Sequence, residues 1–116
     1  MDQPARVTSA TMHIFGYHLY EYTRGVRSLF RMTMSSAQAG PIIERLTAEA
    51  VEHFVQEVDD DRVDVFFGRA VVVATARRLA SKPPGLLSPQ EDFMHGTLLG
   101  YDLESRCRRF LALTRR

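Results

Sequence analysis

The sequence predicts an α+β protein in which a small three-stranded sheet packs with about five helices. Two observations indicate this class. Apolar residues recur at helical spacing in some segments and alternate at every second position in others, and the predicted order of the segments is α-β-α-β-β-α-α-α. Apolar residues make up 45% and charged residues 25% of the 116 positions, which is typical of an ordinary globular protein.

The N-terminal part of the chain is predicted to contain an extension, a helix and a strand. Residues 1–11 show no periodicity and include Pro4 among polar residues, so we expect a disordered extension there. Residues 12–116 are expected to form a single domain, because a chain of this length is too short for two. Residues 17–25 have apolar side chains at helical spacing, which predicts the first helix, with Gly25 as its end. Residues 28–34 alternate, which predicts the first strand.

The middle of the chain is predicted to contain a second helix and a hairpin. Gly40-Pro41 opens a segment whose apolar residues share one helical face. Two strands, at 53–58 and 63–67, follow on either side of an acidic turn. The later predicted elements are a helix at 70–80, a proline-rich linker at 81–87, and helices at about 89–100 and 102–113.

The most informative segment runs from Ser88 to Cys107 and begins with a clear helix start. Ser88 is a suitable N-cap, Pro89 suits the first helical position, and Glu91 is placed to reach back to the cap. The segment then carries small side chains near one stripe, along which another backbone or a flat ligand can approach closely. We predict that the residues of this stripe form an interface: Gly96, Gly100, Leu103 and Cys107.

A second copy of the chain is the predicted occupant of that interface. A glycine inside a helix costs roughly 1 kcal/mol relative to alanine, so Gly96 and Gly100 require a packing reason. In addition, a three-stranded sheet is narrow and has two exposed edges, which favour pairing with another chain. We therefore predict a homodimer.

Charge and cysteine content argue against several classes of protein. The net charge of +1 argues against a general nucleic-acid-binding protein. No stretch approaches the roughly 20 apolar residues that span a bilayer, so we expect no membrane insertion. Cys107 is the only cysteine, which rules out an internal disulfide and fits a reducing cytosol. Residues 1–11 lack the apolar run of a secretory signal, and we expect a cytoplasmic protein.

Three blocks of the chain carry a resemblance to a known family. They are His18-Leu-Tyr-Glu-Tyr-Thr-Arg-Gly-Val-Arg27, Val63-Asp-Val-Phe-Phe-Gly68 and Glu91-Asp-Phe-Met-His-Gly-Thr-Leu-Leu-Gly-Tyr-Asp102. From about Phe15 to Leu113 the chain resembles the bacterial domain-of-unknown-function family numbered two thousand and twenty-three. The resemblance implies three strands, five helices and a homodimer. It implies no activity, but it associates the family with flavodoxins encoded beside its members.

Paired histidine and carboxylate side chains are candidates for a metal or acid–base site. His18 and Glu21 are three residues apart, as are Asp92 and His95, so two helices could supply four ligands. The same spacing also produces ordinary surface contacts, and His95 departs from the family pattern, which has an apolar residue there. We therefore predict no catalytic residue, no metal and no cofactor. The ligand-binding candidates are His18, Tyr20, Glu21, Arg27, Asp92 and Tyr101.

Five arginines lie within the last eleven residues, where cations complement the negative end of a helix dipole. They also form a candidate docking patch for an acidic partner, in which Arg106, Arg108 and Arg109 would make the contacts. Cys107 lies between them and would be a reactive thiol if the guanidinium groups were close. Its apolar stripe favours a small buried side chain instead.

These observations favour a cytoplasmic, homodimeric, non-enzymatic binding or accessory protein that docks an acidic partner. A flavodoxin-like redox protein is the concrete candidate for that partner. The alternative is a small enzyme or ligand sensor with a pocket around His18, Glu21, Arg27, Asp92 and Tyr101, in which Arg27 would hold a phosphate or carboxylate. A concave site with perturbed titration favours the alternative, whereas a flat or convex face bearing the arginines favours docking.

Overall fold

The computed structural model describes residues 2–115, and the side chains of these residues except those of residues 2–9 and 84. Over this range it contains five α-helices and a three-stranded antiparallel sheet, which confirms the predicted α+β class. A short 3-10 turn, Pro84–Leu86, lies in the proline-rich linker. The elements are α1 (Asp2–Thr23), β1 (Leu29–Ser35), α2 (Ser36–Ala48), β2 (Glu52–Glu57), β3 (Arg62–Gly68), α3 (Ala70–Ala80), α4 (Pro89–Leu98) and α5 (Leu103–Thr114).

The chain divides into two compact units. Unit 1 is Met1–Val73 and contains the sheet with α1 and α2, and unit 2 is Ala74–Arg116 and contains α4 and α5. The boundary falls inside α3. The single domain predicted for residues 12–116 therefore remains a prediction.

The sheet has the strand order β1-β3-β2, so β3 lies between the two outer strands. Phe30 of β1 pairs with Phe67 of β3, and Phe54 of β2 pairs with Phe66. Because side chains alternate between the faces of a strand, Phe67 and Phe66 point to opposite faces, and both are almost fully buried. The central strand is therefore buried on both faces.

The hydrophobic core of unit 1 covers one face of this sheet. Alternating residues of β1 and β3 supply the sheet side, and the buried faces of α1 and α2 supply the helical side. Three of the helical residues, Phe15, Ile42 and Leu46, have no exposed surface at all. The core residues are Phe15, Leu19, Phe30, Met32, Met34, Ala39, Ile42, Leu46, Val51, Val63, Val65 and Phe67.

The acidic turn between β2 and β3 is confirmed, and Asp59 organises it. Its Oδ1 atom accepts hydrogen bonds from the backbone N–H groups of Asp61 (3.0 Å) and Arg62 (2.9 Å). These bonds favour the charged form, so the backbone N–H of Asp61 and the Arg62 side chain hold the pKa of Asp59 below its ordinary value. The turn is thus closed by local hydrogen bonds of the kind that aspartate makes in turns.

Two helix starts differ from the sequence prediction. α1 begins at Asp2 and so includes positions 2–11, for which a disordered extension was predicted. Pro4 then lies in the first helical turn, where its missing N–H has no intrahelical partner to lose. α2 begins at Ser36 rather than at Gly40-Pro41, because Ser35 and Gln38 form a capping box, and Pro41 lies inside the helix.

No helix of the described residues is long and apolar enough to cross a membrane.

Candidate functional site

A polar cluster on unit 1 joins His18, Glu21 and Arg27 around a buried aromatic ring. α1 places His18 and Glu21 one turn apart, with 3.2 Å between His18 Nδ1 and Glu21 Oε1. The His18 ring centroid lies 5.4 Å from that of Phe30, and the Arg27 guanidinium carbon lies 5.0 Å from the Phe30 centroid. A histidine–carboxylate pair of this kind can hold or relay a proton. The Tyr17 ring lies beside the pair, with its centroid 6.2 Å from that of His18.

The end of α1 brings Arg27 back to this cluster. Gly25 adopts φ = 73°, its N–H bonds the Tyr22 carbonyl at 3.0 Å, and the Val26 N–H bonds the Glu21 carbonyl at 3.0 Å. This is a Schellman motif, which reverses the chain direction and favours glycine at the left-handed position. The predicted helix end at Gly25 is confirmed, and the reversal is what places Arg27 over the first strand.

Tyr20, another predicted ligand-binding residue, lies outside this cluster. Its side chain is 57% exposed, and its hydroxyl accepts a hydrogen bond from Arg24 Nη1 at 3.2 Å. The Arg24 guanidinium carbon also lies 5.6 Å from the Tyr20 ring centroid. Tyr20 thus forms a surface cation–π pair with Arg24.

A second polar cluster, on unit 2, is organised by Asp92. Asp92 Oδ2 accepts a hydrogen bond from Arg109 Nε at 2.7 Å and lies 3.9 Å from Arg106 Nη1. This hydrogen bond raises the pKa of the Arg109 guanidinium above its ordinary value. These ion pairs tie α4 to α5.

Arg106 explains Gly96, which was predicted to lie at an interface between two chains. A Cβ atom at position 96 would collide with the Arg106 side chain. The guanidinium carbon of Arg106 lies 5.1 Å from the Tyr101 ring centroid, and the buried Nε atom of Arg106 has no hydrogen-bond partner among the described residues. The space beside Gly96 is thus filled by a side chain of the same chain. The only sequence signal for this contact is the presence of an arginine ten residues after the glycine.

The predicted stripe of small residues is not continuous. Gly100 ends α4 with φ = 80°, and hydrogen bonds from Gly100 to Thr97 (3.0 Å) and from Tyr101 to Gly96 (3.0 Å) complete a Schellman motif. Because the helix breaks here, Gly100 cannot share a helical face with residues of α5. Leu103 and Cys107 remain one turn apart on α5, and both are exposed, which corrects the expected burial of Cys107.

Five of the six predicted ligand-binding residues therefore fall into two clusters, one on each unit, and Tyr20 lies outside both. Unit 1 holds His18, Glu21 and Arg27, whereas Asp92 and Tyr101 bracket Arg106 on unit 2. Two surface cavities, of about 450 and 170 Å³, are lined by other residues: Tyr22, Arg69, Ala70 and Val71 for the first, and Phe93, Met94, Thr97 and Leu98 for the second. The described part of the chain contains no group of three or more side chains able to hold a metal ion.

The fold and the two clusters define a small α+β protein whose polar side chains are largely paired with one another. A family model described as Protein of unknown function (DUF2023) matches residues 13–113. The match covers most of the chain, so the chain belongs to this family, as the three sequence blocks indicated. No curated protein matches the chain.

Proposed function

We propose that this chain is a cytoplasmic, homodimeric binding protein that acts through its surface and docks an acidic partner, a flavodoxin-like redox protein. The family membership supplies no chemistry, so the proposal rests on the side chains. The observation that carries it is the exposed basic side of α5. The side chains of Arg108 and Arg109 are 74% and 52% exposed, and they lie next to one another in sequence.

Both arginines already have a carboxylate partner within the chain. Arg108 pairs with Glu104 one turn earlier on α5, and Arg109 pairs with Asp92. Ion pairs at an exposed surface typically contribute about 0–1 kcal/mol, so they do not prevent the guanidinium groups from turning to a partner's carboxylates. The two arginines can therefore exchange their carboxylate partners within the chain for carboxylates of a docking protein.

The two polar clusters support a binding role over catalysis. His18, Glu21 and Arg27 surround Phe30, and Asp92 holds Arg106 and Arg109. In both places the polar groups contact one another, and neither of the two cavities described above is lined by them. This arrangement favours rigid surface features over a pocket that receives a substrate.

The test is the association rate of the purified chain with an FMN-loaded flavodoxin immobilised on a sensor surface. We expect the Arg108→Glu/Arg109→Glu double variant to associate at least about tenfold more slowly at low ionic strength, because steering by opposite charges raises association rates by 10-fold or more. The difference should shrink in about 0.5 M salt, where exposed charges are screened within a few ångströms.

The matched control is Arg45→Glu/Arg62→Glu on unit 1. Arg45 pairs with Glu49 and Arg62 pairs with Asp59, so this variant reverses the same number of exposed, paired arginines elsewhere on the surface. It should reduce the rate less than the α5 variant. Equal rates for the two double variants, or binding that does not respond to salt, would contradict the proposed docking patch.

A further inference from the structure

α5 is amphipathic, yet none of its residues is buried. Leu103 and Leu111 are 63% and 65% exposed, and Cys107 between them is exposed as well. The three residues are spaced four apart, so they form one line along the helix, which we call the α5 stripe. Two leucines left mostly in water on one helical face indicate a surface that another molecule covers.

The apolar surface continues from the α5 stripe onto α4. Phe110 lies beside the stripe on α5 and contacts Phe93 of α4, with ring centroids 5.9 Å apart and planes at 71°. Phe93 also lines the shallow apolar cavity of about 170 Å³, together with Met94, which is 45% exposed. A helix laid along the stripe would therefore meet apolar side chains of both α4 and α5.

The charges along one border of the α5 stripe are complementary to themselves. Glu104 and Arg108 follow Leu103 and Cys107 in sequence, lie one turn apart on the same side of the stripe, and pair with each other. If a second α5 packs antiparallel about a two-fold axis near Cys107, Glu104 of one copy lies next to Arg108 of the other. The same two residues can then exchange partners between the copies, as an isologous interface requires.

We propose that the α5 stripe is the surface through which two copies of this chain pair, with their α5 helices antiparallel. The inference rests on the proposed homodimer and names its interface. Leu103 of each copy packs against Leu111 of the other, and the two Cys107 side chains meet near the axis. Glu104 and Arg108 lie at the exposed rim of this contact, where Arg108 can pair with Glu104 of the other copy and still present its guanidinium to an acidic partner, as the proposed docking patch requires.

The chain's own cysteine provides the first test. Copper-phenanthroline in air accepts two electrons from two thiols, which lose two protons and form one disulfide. A disulfide requires Cα atoms roughly 4.4–6.8 Å apart, so only closely opposed cysteines are captured rapidly. We expect the native chain to form a disulfide-linked dimer within minutes. The variant Cys107→Ala/Leu86→Cys carries its cysteine at another exposed position and should form no such covalent dimer in that time.

The orientation is tested by mixing two variants that each carry one cysteine in a Cys107→Ala background. Leu103→Cys mixed with Leu111→Cys should form a mixed disulfide, since these positions oppose each other in the antiparallel pair. Either variant oxidised alone should form far less dimer. The opposite pattern would show parallel helices and overturn the proposed geometry.

The solution mass separates a failure of this interface from a failure of the homodimer. By light scattering, we expect the native chain and Leu86→Lys to have the mass of two chains, and Leu103→Lys/Leu111→Lys to have the mass of one. A double variant that remains dimeric would overturn the α5 interface and leave the homodimer standing. If the native chain has the mass of one chain up to about 100 μM, any dimer dissociates more readily than dimers with an interface of ordinary size. That result would overturn both the α5 interface and the homodimer.

Discussion

The core of unit 1 and the α4–α5 hairpin of unit 2 are stabilised in different ways. In unit 1, four phenylalanines at most 1% exposed, Phe15, Phe30, Phe66 and Phe67, are buried within or on either face of the sheet. In the α4–α5 hairpin, Gly96 and Leu99 are buried, and the two helices are joined by the ion pairs of Asp92 and by capped ends. The first region therefore fixes the fold by packing, and the second presents apolar and charged side chains to solvent.

Two aromatic pairs with the same geometry make this difference measurable. Phe15 and Phe67 lie 5.4 Å apart with planes at 70°, and Phe93 and Phe110 lie 5.9 Å apart with planes at 71°. Phe67 is fully buried and also stacks on Phe30 at 5.2 Å. Phe110 is only half-buried. The contact geometry is matched, so burial is what differs.

The largest expected effect comes from truncating these rings. Phe67→Ala should lower the free energy of unfolding by about 3–5 kcal/mol, because it leaves a cavity in a closed core. Phe110→Ala should cost about 1–2 kcal/mol, since it loses an aromatic contact and part of its buried area. Urea unfolding of the two variants and the native chain measures both values. Equal losses would contradict the contrast between a packed core and an open hairpin.

Helix ends give the next effect, because three helices end in the same motif with different residues. Gly25 and Gly100 occupy the left-handed position after α1 and α4, whereas Ala50 occupies it after α2 with φ = 57°. An L-residue there costs roughly 1–2 kcal/mol. Part of that cost is offset because glycine gives the unfolded chain more freedom.

Ala50→Gly should therefore raise the free energy of unfolding by about 0.5–1 kcal/mol, and Gly100→Ala should lower it by about 1 kcal/mol. Thermal unfolding by circular dichroism compares the two changes with the native chain. Loss of stability in Ala50→Gly would mean that the methyl group of Ala50 contributes more than its backbone conformation costs.

Local signals in the sequence predicted much of this fold. Alternation placed β1, and two β-rich runs on either side of the acidic turn placed β2 and β3, each to within a residue or two. The Ser88 capping box placed the start of α4, and all of these signals depend on neighbouring residues. α2 was placed too late because Gly40-Pro41 was read as a helix start, although Ser35 and Gln38 already formed a capping box. Pro41 lies inside this helix, although an interior proline usually kinks or breaks one, so it did not mark the boundary.

The candidate site was predicted only where its contacts are local. The spacing of His18 and Glu21 predicted their contact, which is confirmed. The partners of Asp92 depend on how α4 and α5 pack, and Arg106 and Arg109 lie 14 and 17 residues later in the sequence. For the same reason the two glycines do not lie on one continuous helical face, because Gly100 ends a helix and Gly96 is covered by Arg106.

The smallest expected effect concerns the two capping boxes, which differ in one titratable group. Ser35 and Ser88 each donate a backbone N–H to the side chain three residues later, which is Gln38 for α2 and Glu91 for α4. Glu91 also accepts a hydrogen bond from Lys82 Nζ at 2.7 Å. Lys82 and the backbone N–H of Ser88 together hold the pKa of Glu91 below its ordinary value of 4.5. We therefore expect the stability of the α4 start to depend on pH, and that of the α2 start not to, because Gln38 does not titrate.

A carboxyl whose pKa is lower in the folded state stabilises the fold above its unfolded pKa, and this contribution is lost as pH falls through the folded pKa. The stability advantage of the native chain over Glu91→Gln should thus be complete above pH 4.5 and disappear on further acidification. Gln38→Glu is the matched reversal and should give the start of α2 the same kind of pH dependence. Urea unfolding of the three proteins across this range measures the differences, which should be small because Glu91 is near the surface. Equal stability of the native chain and Glu91→Gln at every pH would show that Glu91 acts only as a hydrogen-bond acceptor, a role in which glutamine replaces it fully.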